Sequence, residues 1–549
     1  MPAGGTAVAT TGISYIDGIL YGTKWNSNTL TYSFPTLAAQ VTGYAPGAEN
    51  PVENTAPFEA LTEAQKAVML RALAHWSGVA NIHFVESANP SDSDIRIYWY
   101  KSADNSTAQV VDFPGDKAES GDVQLGGGMD PALPWSEGTY EFTTLLHELG
   151  HALGLKHPHD AIGSFPSVDT SIDSVESSVM SYSSYIGENS GEGYTIQAGS
   201  FPIGPMMNDI AAIQALYGPN RTTQAGDNVY KFDPNTPVVF VTPWDAGGTD
   251  TYDFQAYASN LTVDLRAGAW TNLGGQYAIL GAEGQMARGN IANPYLYNGE
   301  TASLIENAIG GSGDDTIHGN QLANILTGNG GQNTLYGYEG NDTLYGGSGN
   351  DILDGGAGDD LLVGGGGSDR LIGGSGLDTA IIDGARSTFG VKIKDGAVTL
   401  TSSSETSLTE VERIKFSDGT LAFDLEGHAG QLFRLYKAAF DRAADAGGSG
   451  YWIRKLDANE LSLQQTAKLF LSSPEFSARY GSMTDNQKYV EALYSNVLGR
   501  SSEKAGMDYW VGALNSGEYS QDKVLAFFAD STENKGLQSA FLNDGLWYV

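Results

Sequence analysis

The stretch His147-Glu148-Leu149-Gly150-His151-Ala152-Leu153-Gly154-Leu155-Lys156-His157 places two histidines four residues apart. On a helix such positions share one face, so both imidazoles reach one metal ion. Gly154 follows where a helix ends and the chain turns sharply, and His157 returns three residues later as a third ligand. Three neutral imidazoles with an open fourth position describe a catalytic zinc, not a structural one. Glu148 sits beside the first ligand, placed to take a proton from a water on the metal. A solvated helix with incidental histidines has no reason to hold all five positions of this spacing. His159 lies just outside the ligand register and reads as a loop residue.

The rest of the 549-residue chain is long enough for several domains. It carries 65 acidic and 29 basic residues, a formal charge of -36. Such a field argues against nucleic acid or an anionic membrane as partner and points to divalent cations for neutralisation. There is no cysteine, so disulfides and zinc-thiolate sites are excluded, and calcium is the obvious staple for an exported chain. The N-terminal residues lack the charged and apolar regions of a Sec-type signal. No run of about 18 apolar residues predicts a transmembrane segment.

Around the histidine motif the pattern predicts a helix from Leu61 to Gly78 with Thr62 as N-cap. A strand is expected at Ile95–Tyr100, a short strand at Asp122–Leu125, the motif helix from about Tyr140 to Gly154, and a helix near 207–217. From Gly310 to Ile381 the sequence then repeats every nine residues. Position six of successive units reads Asp315, Asn324, Asn333, Asp342, Asp351, Asp360, Asp369 and Asp378, and position eight is nearly always Ile or Leu. Glycines permit the tight turn, the Asp supplies a carboxylate, and the apolar residue packs inward. This is the nonapeptide pattern of a parallel β-roll with calcium between turns. A disordered Gly/Asp linker would not keep an apolar residue at constant phase. Candidate calcium ligands are the carboxylates of Asp315, Asp342, Asp351, Asp360, Asp369 and Asp378. Backbone groups of Gly311, Gly313, Gly347, Gly349, Gly355, Ala357, Gly364 and Gly366 join them. The second and third units lack the Asp, so their sites are expected to be weak or absent. Residues 382–427 read as strands that cap the roll.

From about 428 the chain is helical and duplicated with an offset of 58: Leu435-Tyr436 recurs as Leu493-Tyr494, Arg442 as Arg500, Tyr451-Trp452 as Tyr509-Trp510, and Glu475 as Glu533. No catalytic constellation occurs here. The module reads as a binding or export-related piece, with an inert stabilising domain as the alternative.

Ser178-Val179-Met180-Ser181-Tyr182-Ser183, taken with HExxHxxGxxH, matches the Met-turn that closes metzincin sites. With Asp209–Gly218, Trp244–Asp250 and Ile305–Gly311, the chain resembles the serralysins, the type-I-secreted metzincins that carry a calcium β-roll. The resemblance covers roughly residues 13–420. It implies one zinc on His147, His151, His157 and a movable Tyr182, with Glu148 as general base and Met180 as the hydrophobic floor. It implies further calcium ligands at Gly226, Asp245, Gly247, Gly248, Asp250 and Glu306. It also implies that Asp122, Val123, Gln124 and Leu125 form the edge strand that receives extended substrate by β-augmentation.

The expected fold class is multidomain α+β: an N-terminal tail over 1–12, a metzincin zinc-protease domain over 13–220, an all-β parallel roll with flanking strands over 221–427, and an all-α repeat module over 428–549. The expected activity is hydrolysis of peptide bonds in a protein or peptide substrate, by a bacterial chain exported through type I secretion machinery and folded by calcium outside the cell or at its surface. A narrower reading confines cleavage to one target, such as a surface-layer protein docked by 428–549. The runner-up is a calcium-dependent cell-surface adhesion protein with a vestigial protease domain.

Overall fold

The computed structural model describes residues 3–44, 58–100, 107–131, 135–188, 191, 193–394, 396–481, 483–542 and 544–549. The chain divides into two compact units, Met1–Asn320 and Gln321–Val549.

In the first unit a twisted sheet backs the motif helix. Its strands run in the order His83–Glu86, Thr29–Ser33, Ile95–Tyr100, Val123–Leu125, Ala108–Val110. The first four are parallel where they pair, and Ala108–Val110 is antiparallel to Val123–Leu125. Helix Glu63–Val79 is closed at its start by a capping box between Thr62 and Gln65. It buries Met69, Ala72, Leu73 and Trp76 in the same core as Leu145, Leu146 and Leu149 of helix Tyr140–Leu153. Helix Met207–Tyr217 adds Ile210, Ile213 and Leu216.

Two details depart from the sequence reading. Residues 3–12 are not a loose tail. Gly5–Ala7 pairs antiparallel with Thr23–Trp25, and the backbone N–H groups of Thr11 and Gly12 both donate to the buried Asp17 carboxylate. No apolar periodicity marks this segment, because its order rests on backbone pairing. Asp122–Leu125 is not an edge. Val123–Leu125 is flanked by a strand on each side, and Asp122, Val123, Gln124 and Leu125 are all buried. The outermost strand on that side, among the described residues, is Ala108–Val110. The first unit also holds parallel strands Val229–Lys231, Thr251–Asp253 and Asn307–Ile309, and the parallel pair Thr262–Asp264 with Thr316–His318.

In the second unit strands pair in parallel with partners eighteen residues away, as two stacks. One runs Ile325–Thr327, Thr343–Ser348, Leu361–Gly366, Thr379–Ile381, and then Arg413–Phe416. The other runs Thr334–Glu339, Ile352–Ala357, Arg370–Ser375, and then Glu405–Thr409. Each coil of the roll thus spans two nonapeptides, and the position-eight residues Leu326, Leu335, Leu344, Leu353, Leu362 and Leu371 are fully buried. Antiparallel strands close the end of both stacks.

Among the described residues, eight helices follow as two sets of four. The first set is His428–Phe440, Ala446–Asp457, Leu463–Leu471 and Pro474–Tyr480; the second is Asn486–Asn496, Lys504–Ser516, Gln521–Ala529 and Thr532–Leu542. The duplication is visible in one repeated device: Arg442 makes a two-pronged bond to Glu475, and Arg500 makes the same bond to Glu533. The module is not helical throughout, since Leu546–Tyr548 forms a strand antiparallel to Gly419–Ala422. No helix is long and apolar enough to cross a membrane among the described residues.

Candidate active site

Helix Tyr140–Leu153 starts at Thr139, whose hydroxyl accepts from Phe142 N–H. It stops at Gly154, which adopts φ 109° in the left-handed region. A side chain there would also collide with the Thr23 carbonyl. Side chains from other elements grip the helix carbonyls: Trp76 Nε1 donates to Leu146, Trp25 Nε1 to Ala152, and Tyr217 OH to Leu153. This anchoring holds the ligand face of the helix still.

The three imidazoles converge through their Nε2 atoms. His157 Nε2 lies 3.0 Å from that of His151 and 3.2 Å from that of His147. Each Nδ1 is engaged on the outer side: His147 with the Val179 carbonyl at 2.8 Å, His151 with the Leu155 carbonyl at 2.7 Å, and His157 with Asp160 Oδ2 at 3.0 Å. Those acceptors hold the proton on Nδ1 and turn three lone pairs toward one point. Burial, with the neighbouring His157 adding to it, pushes His147 down to about 3, and burial also holds His151 well below the usual range. Neutral imidazoles separated by about 3 Å fit a tetrahedral zinc with Zn–N near 2.0–2.1 Å.

Glu148 is buried, and that burial raises its carboxyl to about 8, against the opposing pull of a backbone hydrogen bond from Val110. The Tyr182 ring stacks on His147 at 5.3 Å and lies 4.3 Å from His157. It is 39% exposed, so it has room to swing. Met180 is fully buried, and its sulfur lies directly under Gly150, where a side chain would strike it. His159 stacks on the far side of His157 at 5.2 Å. A cleft of about 1000 Å³ opens beside His147 and Glu148, walled by Tyr140, Tyr194, Ile196 and Phe201 and rimmed by Thr107 and Ala108. The strand bordering it is therefore Ala108–Val110. Asp122 instead pairs with buried Arg96 at 2.8 Å and accepts from Tyr44.

Two supporting residues escape motif reading. Asp209, on helix Met207–Tyr217, accepts from Ser178 OH at 2.5 Å and from the N–H groups of Val179 and Met206 at 2.8 Å each. Val179 thus connects Asp209, through its N–H, to His147, through its carbonyl. Lys156 is fully buried; its ammonium donates to the carbonyls of Gly18, Asp160 and Pro166 and pins the loop that carries His157. Neither carries a spacing signal; Asp209 stands out only as an acid inside an apolar helix.

The other candidate ligands group into two settings. In the first unit Asp245 and Asp250 are buried, Asp250 N–H donates to Glu306 Oε2 at 2.7 Å, and Asp250 Oδ2 is buried without a hydrogen-bond partner. Burial, reinforced by the Asp245 and Glu306 carboxylates, raises Asp250 to about 7. The Gly226 carbonyl lies against Gly248. In the roll, Asp342, Asp351, Asp360 and Asp378 each accept one backbone N–H through Oδ1, from the residue eighteen earlier. The Oδ2 of each is buried and unpartnered. Oδ2 of Asp342 and Asp351 face the carbonyls of Gly355 and Gly364. Orphaned carboxylate oxygens opposite carbonyls are a calcium donor set. Asp315 differs: Leu261 N–H binds its Oδ1 and Gly311 N–H its Oδ2. The carbonyls of Ala357 and Gly366 accept from Gly340 and Gly349.

Comparison with known proteins agrees with this geometry. Residues 52–165 match the matrixin family, overlapping stretches within 305–380 match the RTX calcium-binding nonapeptide repeat, and 467–538 match a domain of unknown function, DUF4214. The chain is 33% identical over 332 residues to a serralysin of Proteus mirabilis, covering 54% of this chain and 60% of that protein. The protease region is similar to that of the serralysins. Serralysin C of Dickeya chrysanthemi is 35% identical over 281 residues, covering 47% of this chain and 54% of its own length. Metallopeptidase AprA of Pseudomonas marginalis is 32% identical over 315, covering 54% and 61%. The chain thus spans less than two thirds of these curated relatives. Zinc and calcium are the cofactors of this type of protein, and the donor sets above fit both.

Proposed function

We propose that this chain is a secreted zinc-dependent endopeptidase, folded and stabilised by calcium outside the cell. The observation that carries the reading is the convergence of three Nε2 lone pairs, each fixed by an outward Nδ1 contact, beside Glu148 and an open cleft. A zinc held there supplies a Lewis acid that lowers the pKa of water toward about 7 and polarises a peptide carbonyl. Ala108–Val110 offers its outer edge to an extended substrate, and the apolar wall of the cleft receives a side chain beside the scissile bond. Glu148, next to the first ligand and at the cleft, would accept the proton of the attacking water and return it to the leaving amine. Tyr182 donates its phenolic hydrogen to the carbonyl oxygen as that oxygen gains charge.

Hydrolysis of casein by the calcium-loaded chain, blocked by 1,10-phenanthroline and restored by zinc, tests the activity. Glu148→Ala should keep one zinc per chain and lose about 10²–10⁴-fold in kcat. Full turnover in that variant would refute the role of Glu148. Type I export is favoured by the calcium-dependent roll, which is loose at low cytosolic calcium and folds by mass action outside.

A further inference from the structure

Position six of alternate nonapeptides forms a row along one stack of the roll: Asn333, Asp351, Asp369, each just before one of three parallel-paired strands. At Asp351 a carbon placed on Gly346 would lie 2.6 Å from Asp351 Oδ2 and 2.6 Å from the Gly364 carbonyl oxygen. Two acceptors therefore face one small space with no proton between them, and a cation resolves the conflict. One coil earlier, a carbon placed on Gly328 would lie 2.5 Å from Asn333 Nδ2 and 2.5 Å from the Gly346 carbonyl oxygen. Nitrogen stands where the carboxylate oxygen stands at Asp351. Asn333 Nδ2 donates to the carbonyls of Gly330 and Gly346, at 3.2 Å each. Carbonyls only accept, so the NH₂ end of the amide must face them. The Asn333 side chain also lies against the Asp351 carboxylate.

We propose that the Asn333 amide replaces calcium in its turn, so that this position takes no ion and the calcium row on this side of the roll begins at Asp351. The turn over 328–333 is then folded without calcium and serves as the platform on which the calcium-requiring turns of this side stack. The inference rests on the reading of Asp351 and its neighbours as calcium ligands.

The test uses the full chain in a Glu148→Ala background, which prevents self-cleavage. Calcium per chain is measured by equilibrium dialysis, and amide hydrogen exchange is followed in EDTA. Asn333→Asp should bind one more calcium than its parent. Asp351→Asn should bind one fewer and should gain calcium-free protection over 346–364. In EDTA the parent should protect amides of 328–336, and Asn333→Asp should lose that protection until calcium is restored. Unchanged calcium in Asn333→Asp beside a loss in Asp351→Asn overturns the inference and leaves the calcium reading standing. Unchanged calcium in Asp351→Asn sinks the calcium reading and this inference with it. Rapid exchange of 328–336 in the EDTA-treated parent also overturns it. If Asn333→Asp misfolds even in calcium, the Asp351→Asn exchange result decides alone.

Discussion

At the scale of single residues, the site depends on side chains that hold other side chains. Asp209 binds two backbone N–H groups and a hydroxyl around the Met-turn. Asp209→Ala leaves those buried donors unpaired, at about 1–3 kcal/mol each, and frees Val179, whose carbonyl orients His147. Reduced zinc affinity with a lowered Tm is the expected outcome, read by competition with a chromogenic chelator. Tyr182→Phe keeps the ring against His147 and His157 and removes only the phenolic hydrogen. It should lower kcat by up to about 10²-fold with little change in KM; an unchanged kcat would count against its role. The metal ligands were legible because a spacing of four, then six, on a helix and its following turn is a geometric statement. Asp209 and Lys156 were not, since a buried polar residue takes its meaning from distant partners.

At the scale of elements, the roll carries its own pH response. Without calcium, burial raises Asp342 to about 7, Asp351 to about 6 and Asp378 to about 7, against about 3.9 for an unfolded Asp. The folded state then holds more protons than the unfolded one between these values. Its stability is full below about pH 4 and falls as pH rises through 6–7. Thermal melts in EDTA should therefore show the roll unfolding at lower temperature at pH 7.5 than at pH 5. Saturating calcium should remove or reverse that slope, because the ion binds the ionised form. A calcium-free melt that rises with pH would contradict the assignment of these carboxylates. Nonapeptide phase announced this element, since every apolar position eight has one inward direction. The edge position of Asp122–Leu125 was implied by the resemblance alone: the sequence of those residues marks a strand, yet it does not tell a strand with two neighbours from one with a bare side.

At the scale of the whole molecule, the helical module repeats one exposed ring along with its core. Tyr451 is 51% exposed and its counterpart Tyr509 is 52% exposed, while Leu435 and Leu493 are buried in both halves. Retained exposed rings favour a docking role for the module over an inert one. The double substitution Tyr451→Ala with Tyr509→Ala should leave casein hydrolysis unchanged and reduce cleavage of a protein displayed on the cell surface. Equal loss on both substrates would assign the rings to stability instead.

The pairing of Leu546–Tyr548 with Gly419–Ala422 means that the helical module is a closed loop inserted within a β-sheet, not an appendage. A ribosome delivers Gly419–Ala422 well before its neighbour. Until then, one flank of that ribbon offers unsatisfied amides to any passing polypeptide. Proteolytic clipping between 423 and 545 would cut the covalent link between the two strands and leave them held by their pairing and by the shared helical core. Nicked molecules should therefore be recognisable by self-association rather than by lost metal.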